Sequence, residues 1–166
     1  MTRPSWDDYG LQLASAVATR ADCTRRKVGA ILMAPDHSVV AAGYNGGPSK
    51  GPSCLNGECP RGRLTHDELP PDSPYDTGGG TCVALHAEWN VLLRASWAQM
   101  VDATLYVTEE PCHICKTLIA GTKIARVVFP TDIWYPDAVE LCNDWSDGHS
   151  HQRCSRPRGH TGFHAA

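Results

Sequence analysis

Residues 103–129 read ATLYVTEEPCHICKTLIAGTKIARVVF. Ala103–Thr108 is a run of β-branched and aromatic residues and predicts a strand. Cys112–Ala120 predicts a short helix, ended by Gly121 at the C-cap position. Ile124–Phe129 predicts another strand. Working back towards the N-terminus, the pattern from Val83 to about Trp97 is that of an amphipathic helix. Val28–Ala34 (VGAILMA) reads as a buried strand, Pro35-Asp36-His37 as a turn and Val39–Gly43 as a second strand. Ser5-Trp6-Asp7-Asp8 has the form of a helix start, with Ser5 as N-cap and acids in the first turn. Leu11, Leu13, Ala14, Val17 and Ala18 carry that helix to about Arg20. Strands covered by crossover helices make this an α/β chain, a sandwich with a mixed sheet.

Two regions escape this pattern. Gly43 to Gly80 lacks periodicity and is rich in proline and glycine. A loop this long in a compact domain is either functional or held by something, and Cys54, Cys59 and His66 inside it suggest a metal. After Pro130 the pattern fades, and the tail from Ala138 is polar, with four histidines and two cysteines. The expected organisation is one domain over residues 1–137, including the loop 44–81, and a Cys/His-rich tail over 138–166.

Composition narrows the function classes. Of 166 residues 42% are apolar, which excludes a wholly disordered chain. Net charge is −3, with no block of five or six like charges, which argues against a nucleic-acid partner held by counterion release. The apolar runs are too short for a membrane span. The first thirty residues lack a basic start followed by an unbroken apolar stretch, so a cytoplasmic protein is expected, in the host cytoplasm if a phage encodes it. Eight cysteines and eight histidines in a reducing compartment argue for metal rather than disulfides.

His86-Ala87-Glu88 opens one helix, and Pro111-Cys112-His113-Ile114-Cys115 opens the next. His86, Cys112 and Cys115 make three zinc ligands with a free fourth position, as a catalytic zinc requires. A helix N-terminus stabilises the thiolates. Glu88 is close enough to serve a water at the metal without being a ligand. This H-x-E…P-C-x-x-C pattern resembles that of the zinc-dependent deaminases. Glu88 would then take a proton as water attacks the amine-bearing ring carbon, and pass protons to the ring nitrogen and the departing ammonia. A closed zinc knot with His113 as fourth ligand is the structural alternative.

The resemblance extends further. Ser5-Trp6-Asp7, Cys23-Thr24-Arg25-Arg26-Lys27-Val28-Gly29-Ala30, Gly43-Tyr44-Asn45-Gly46-Gly47-Pro48, His86-Ala87-Glu88 with Asn90, and Ala103–Thr108 before Pro111-Cys112 are similar to deoxycytidylate deaminases, from about Ser5 to Phe129. The resemblance implies a three-layer α/β/α sandwich around a central mixed five-stranded sheet. It implies hydrolysis of dCMP to dUMP and ammonia, which supplies thymidylate synthesis. It also implies a homo-oligomer, commonly a hexamer, with activation by dCTP and Mg2+ and inhibition by dTTP. By the family pattern Asn45 contacts the sugar, the backbones of Ala87 and Thr108 face the base, and an aromatic residue, Tyr135 or Trp134, closes the pocket. Arg25, Arg26, Lys27 and Lys50 lie near loops suited to the phosphate, with Arg26 assigned to it; each also reads as a solvated charge. Two positions depart from the pattern: Lys50 stands where glycine is expected, and Trp89 where smaller residues are usual.

Relatives carry cysteines at places similar to Cys23, Cys54, Cys59 and Cys82, which implies a second, structural zinc; His66 could replace one of the four. The bland reading of Cys23 and Cys82 is as small buried hydrophobes. In the tail, Cys142, Cys154, His160 and His164, with His149 and His151 in reserve, have finger-like spacing at one end, or belong to a polar tail without metal. Three other functions stay open: a deaminase of 5-substituted dCMP, one acting on another nucleoside, nucleobase or nucleic acid, and a zinc-stabilised nucleotide-binding module without turnover.

Overall fold

The computed structural model describes residues 2–71, 73 and 81–136. Helix α1 (Trp6–Ala18) is followed by strands β1 (Gly29–Met33) and β2 (Val39–Tyr44), helix α2 (Ala87–Leu92), strand β3 (Thr104–Val107), helix α3 (His113–Ala120) and strands β4 (Arg126–Phe129) and β5 (Asp132–Trp134). The five strands form one sheet in the order β2-β1-β3-β4-β5. β3 and β4 are parallel, joined by the α3 crossover, and the other neighbours are antiparallel.

Every residue of β1 is buried. Its odd and even side chains serve different layers. Ile31 and Met33 join Tyr106, Val128 and Ala14 of α1 on one face. Ala30 and Leu32 join Leu105, Val107 and Val127 on the other, beneath Val91 of α2 and Ile119 of α3. This is the expected three-layer sandwich with a mixed five-stranded sheet, and burial on both faces explains why β1 is an unbroken apolar run. Helix α1 starts where Ser5 accepts the Asp8 N–H at 3.0 Å. It is fixed to the sheet by polar bonds as well: Tyr106 Oη donates to Asp7 at 3.1 Å, and Arg126 pairs with the same carboxylate at 2.9 Å.

The helix expected from Val83 to about Trp97 is much shorter. Leu85 exchanges both backbone bonds with Gly46, at 2.8 and 3.1 Å, so the residues before His86 run extended. At the other end Ser96 and Gln99 cap each other reciprocally, at 2.9 and 3.3 Å, and start a separate turn. Strand β5 is an addition to the elements read from the residues. Three residues hairpinned onto β4 are too short for a periodic signal.

The loop after β2 is held by polar side chains. Asp22 accepts hydrogen bonds from Ser53 Oγ (2.7 Å) and from the N–H groups of Cys54 (2.9 Å), Gly47 (3.3 Å) and Leu55 (3.4 Å). Arg25 donates to the carbonyls of Leu64, Leu69 and Pro70. Its guanidinium is therefore committed to shaping the loop. The tail residues Cys142, His149, His151, Cys154, His160 and His164, and with them the 138–166 tail boundary, lie outside the described residues.

Two predictions follow from this packing. A Cβ on Gly43 would stand 2.3 Å from the carbonyl of Ala87, so Gly43→Ala must push α2 off the sheet. Thermal unfolding should show a loss of about 1–3 kcal/mol. Burial pushes the Asp22 carboxyl up, but its hydrogen bonds to Ser53, Cys54, Gly47 and Leu55 outweigh this and hold it below the usual range. A depressed folded-state pKa gives stability that is present above the unfolded value and lost as pH falls through the folded one. Asp22→Ala should therefore cost about 1–2 kcal/mol near neutrality, and denaturant titrations should show the gap closing below about pH 4.

Candidate active site

The two helices on one face of the sheet point their N-termini at the same spot. His86 is the N-cap of α2 and Cys112 the N-cap of α3, with Cys115 one turn further on. His86 Nδ1 lies 3.2 Å from Cys115 Sγ and 3.6 Å from Cys112 Sγ. All three donor atoms fall within 4.8 Å of one another. A tetrahedral zinc with ordinary Zn–N and Zn–S bonds spaces nitrogen and sulfur by about 3.5 Å, so the trio fits that ion without rearrangement. One imidazole and two thiolates are also the soft donor set that selects it.

Burial pushes the His86 pKa down, favouring the neutral imidazole that a metal needs. Burial pushes the Cys115 thiol strongly up, and the neighbouring Glu88 and Cys112 push it further. Binding both cysteines as thiolates beside the Glu88 carboxyl in this buried site would require a cation to compensate them. Among the described residues His113 is not part of the compact group.

Glu88 lies on the first turn of α2 and is 4% exposed. Burial raises its pKa, while its own backbone N–H and Cys115 act the other way. It faces a cavity of about 390 Å³, large enough for a mononucleotide, with His86, Ala87 and Cys112 also in the wall. Among the described residues the buried polar or charged side chains are Asn45, Arg61 and Glu88, and all three line this cavity.

The expected substrate residues divide. Asn45, Ala87 and Arg26 line the cavity. The Asn45 amide also fixes the neighbouring segment, accepting from Val28 N–H at 2.8 Å and donating to the Arg26 carbonyl at 2.9 Å. Thr108 is not in the wall; its N–H and hydroxyl bind the Gly29 carbonyl and N–H. Tyr135 is 42% exposed and also outside the wall, whereas Trp134 packs on the core. Arg61 was not legible as a cavity residue, because Pro60-Arg61-Gly62-Arg63 has only the signal of a polar loop.

The other four described cysteines, Cys23, Cys54, Cys59 and Cys82, line the same cavity. Each sulfur accepts a backbone N–H: Cys23 from Arg25 (3.4 Å), Cys54 from Thr24 (3.4 Å), Cys59 from Gly62 (3.3 Å) and Val83, and Cys82 from Ala84. Cys59 also hydrogen-bonds to Cys54 and Cys82. Burial pushes the Cys59 thiol up, but these bonds outweigh it and lower its pKa; Cys54 and Cys82 are raised, chiefly by burial. The four are looser than the His86 group, which is the one set of three or more donors within 4.8 Å among the described residues. All described cysteines are free thiols.

Comparison with known proteins agrees with this geometry. The sequence model of the cytidine and deoxycytidylate deaminase zinc-binding region matches residues 4–131. The deoxycytidylate deaminase of Mycobacterium phage D29 is 47% identical over 132 residues, which are 80% of this chain and 99% of the phage protein. The deoxycytidylate deaminase of Saccharomyces cerevisiae is 38% identical over 135 residues, 78% of this chain but only 38% of the yeast protein. Among solved structures, the dCMP deaminase of cyanophage S-TIM5 in complex with dCMP and dUMP superposes with a TM-score of 0.56 at 25% identity, over 78% of this chain and 83% of that one. A mutant cytidine deaminase from Mycobacterium tuberculosis, at 15% identity, shares the fold with a TM-score of 0.50 over 83% of this chain and 97% of that one. The match across residues 4–131 places the chain in the cytidine and deoxycytidylate deaminase family.

Proposed function

We propose that this protein hydrolyses dCMP to dUMP and ammonia. The observation that carries the reading is the 47% identity to a phage deoxycytidylate deaminase over nearly the whole of that relative, combined with an intact His86, Cys112, Cys115 and Glu88 group on a nucleotide-sized cavity. His86 Nδ1 and the Cys112 and Cys115 sulfurs would hold the zinc. A bound zinc would supply Lewis-acid activation of a water. Glu88 accepts the proton of the attacking water, donates it to the ring nitrogen of the cytosine, and carries the second proton to the departing ammonia. Its burial suits this shuttle, since a raised carboxyl can hold a proton as well as release one.

Asn45 retains one N–H and one lone pair beyond its two backbone bonds, enough to meet a sugar hydroxyl. Arg26 and Arg61 in the cavity wall suit a 5′-phosphate, although Glu109 and Glu110 line the same wall. Thr108 and Tyr135 fit less directly, and we place Thr108 as a brace for β1. Cys23, Cys54, Cys59 and Cys82 hold a second, structural zinc in this reading, supported by the N–H bond on every sulfur. The exposed apolar side chains Ile114 and Leu118, one turn apart on α3, suit a contact between subunits of a homo-oligomer, with the hexamer as the expected form. Regulation by dCTP with Mg2+ and by dTTP belongs to the same expectation. No helix among the described residues is long and apolar enough to cross a membrane, and action in a host cytoplasm accords with the phage relative.

Ammonia release from dCMP, set against 5-substituted dCMP, cytidine and a cytosine-containing oligonucleotide, tests the substrate. Turnover fastest on dCMP is expected; binding without ammonia release would leave a nucleotide-binding module instead. Glu88→Gln should retain zinc and dCMP binding while lowering kcat at least about a hundredfold. Cys54→Ser should lower both the melting temperature and the zinc content, from two ions to one, measured by metal analysis and calorimetry. A variant with both zinc ions and wild-type stability would sink the structural site.

A further inference from the structure

We propose that Trp89 is a positioning residue that holds the His86 imidazole in its ligating plane. The inference rests on the zinc reading above and adds to it a residue outside the H-x-E…P-C-x-x-C pattern. The His86 and Trp89 rings stack with centroids 4.8 Å apart and planes within 15°. In that plane Nδ1 faces Cys115 Sγ at 3.2 Å and Cys112 Sγ at 3.6 Å. As N-cap of α2, His86 makes no side-chain capping bond that would fix the ring through its own helix. Trp89 sits one turn along that helix and is itself packed against the core beneath α2 and α3, so it is a fixed platform. Turning the imidazole out of its plane would drive its edge into the indole. The ligand is thus oriented before the ion arrives, and less ordering remains for the ion to impose.

Trp89 is not among the residues lining the cavity. Its ring contact is with the His86 imidazole, which makes it a positioning rather than a catalytic residue. Its effect belongs in metal affinity and in the ligand field.

The test uses the full chain. Zinc affinity is measured by chelator competition, and cobalt(II) replaces zinc to report the ligand field in its visible spectrum. Trp89→Leu should weaken zinc about tenfold and alter the cobalt bands, with KM for dCMP changed less than about twofold. Trp89→Phe keeps an aromatic face and should restore most of the affinity. Val91→Ala, which cuts the core side of the same helix, should lower stability without moving the zinc constant or the cobalt spectrum. If Trp89→Leu does not fold, Trp89→Met, flexible and without a ring, takes its place. Wild-type affinity and spectrum in the Leu or Met variant would overturn the proposal. So would a Phe variant as weak as Leu, or Val91→Ala shifting the constant as far. A wild-type protein that binds neither zinc nor cobalt would instead remove the metal reading itself, and this inference with it.

Discussion

Three donor atoms from two helices must meet at one point, and the sheet beneath them is what makes this possible. Ala87 and Cys115 are both fully buried, so neither helix N-terminus can retreat from the other without opening the core. The parallel β3–β4 pair fixes the start of α3, and the bridge between Gly46 and Leu85 fixes the start of α2. Burial has an electrostatic consequence. It disfavours charge on His86 and Cys115 alike, so the unloaded site is driven towards neutrality, and a divalent ion reverses this for the thiolates. Fold and metal are coupled through the same buried atoms.

A second constraint operates across the cavity. The described part of the loop between β2 and α2 has little regular structure, and scattered backbone bonds such as Gly46–Leu85 leave much of its shape to side chains. Asp22 and Arg25 do that work, one gathering donors near Cys54 and the other gathering carbonyls from Leu64 to Pro70. Both flank Cys23, so the segment before β1 organises the loop, the second cysteine group and, through Asn45, the cavity wall. The polar residues just before β1 therefore contribute to the site by shaping it.

The sequence was most legible where chemistry and periodicity coincide. The buried run of β1 and the Ser5 cap have local signals that the structure bears out as elements, and the His86, Cys112, Cys115 spacing comes together as one compact donor group. The α2 boundary was misread because apolar spacing continues through Val83–Trp97, while the ends are set by a long-range bridge and by the Ser96–Gln99 box. That box is visible in the sequence, and an apolar pattern read alone passes over it. Arg25 shows the opposite difficulty. It lines the cavity as an arginine near a suitable loop would suggest, and it also donates to three carbonyls from residues about forty positions away, a long-range role with no local signal. Lys50 has a local explanation: its φ of 65° is the left-handed conformation that glycine adopts without strain, so the lysine occupies a backbone shape suited to glycine.

The two cysteine groups differ in their surroundings, although both line the cavity. The His86 group has three converging donors and a buried carboxylate beside it. The Cys59 group has four sulfurs, each already accepting a backbone N–H bond, and the Asp22 carboxylate bonds to the Cys54 backbone. A site that must activate water needs an open position and a base; a site that must hold a loop needs closure and many backbone ties. The backbone bonds onto Cys23, Cys54, Cys59 and Cys82 come from residues 24, 25, 62, 83 and 84, three separate stretches of chain. One of those stretches leads directly into His86. The chain that donates to Cys59 and Cys82 thus continues within a few residues into the N-cap of α2, so the two cysteine groups share one segment of backbone.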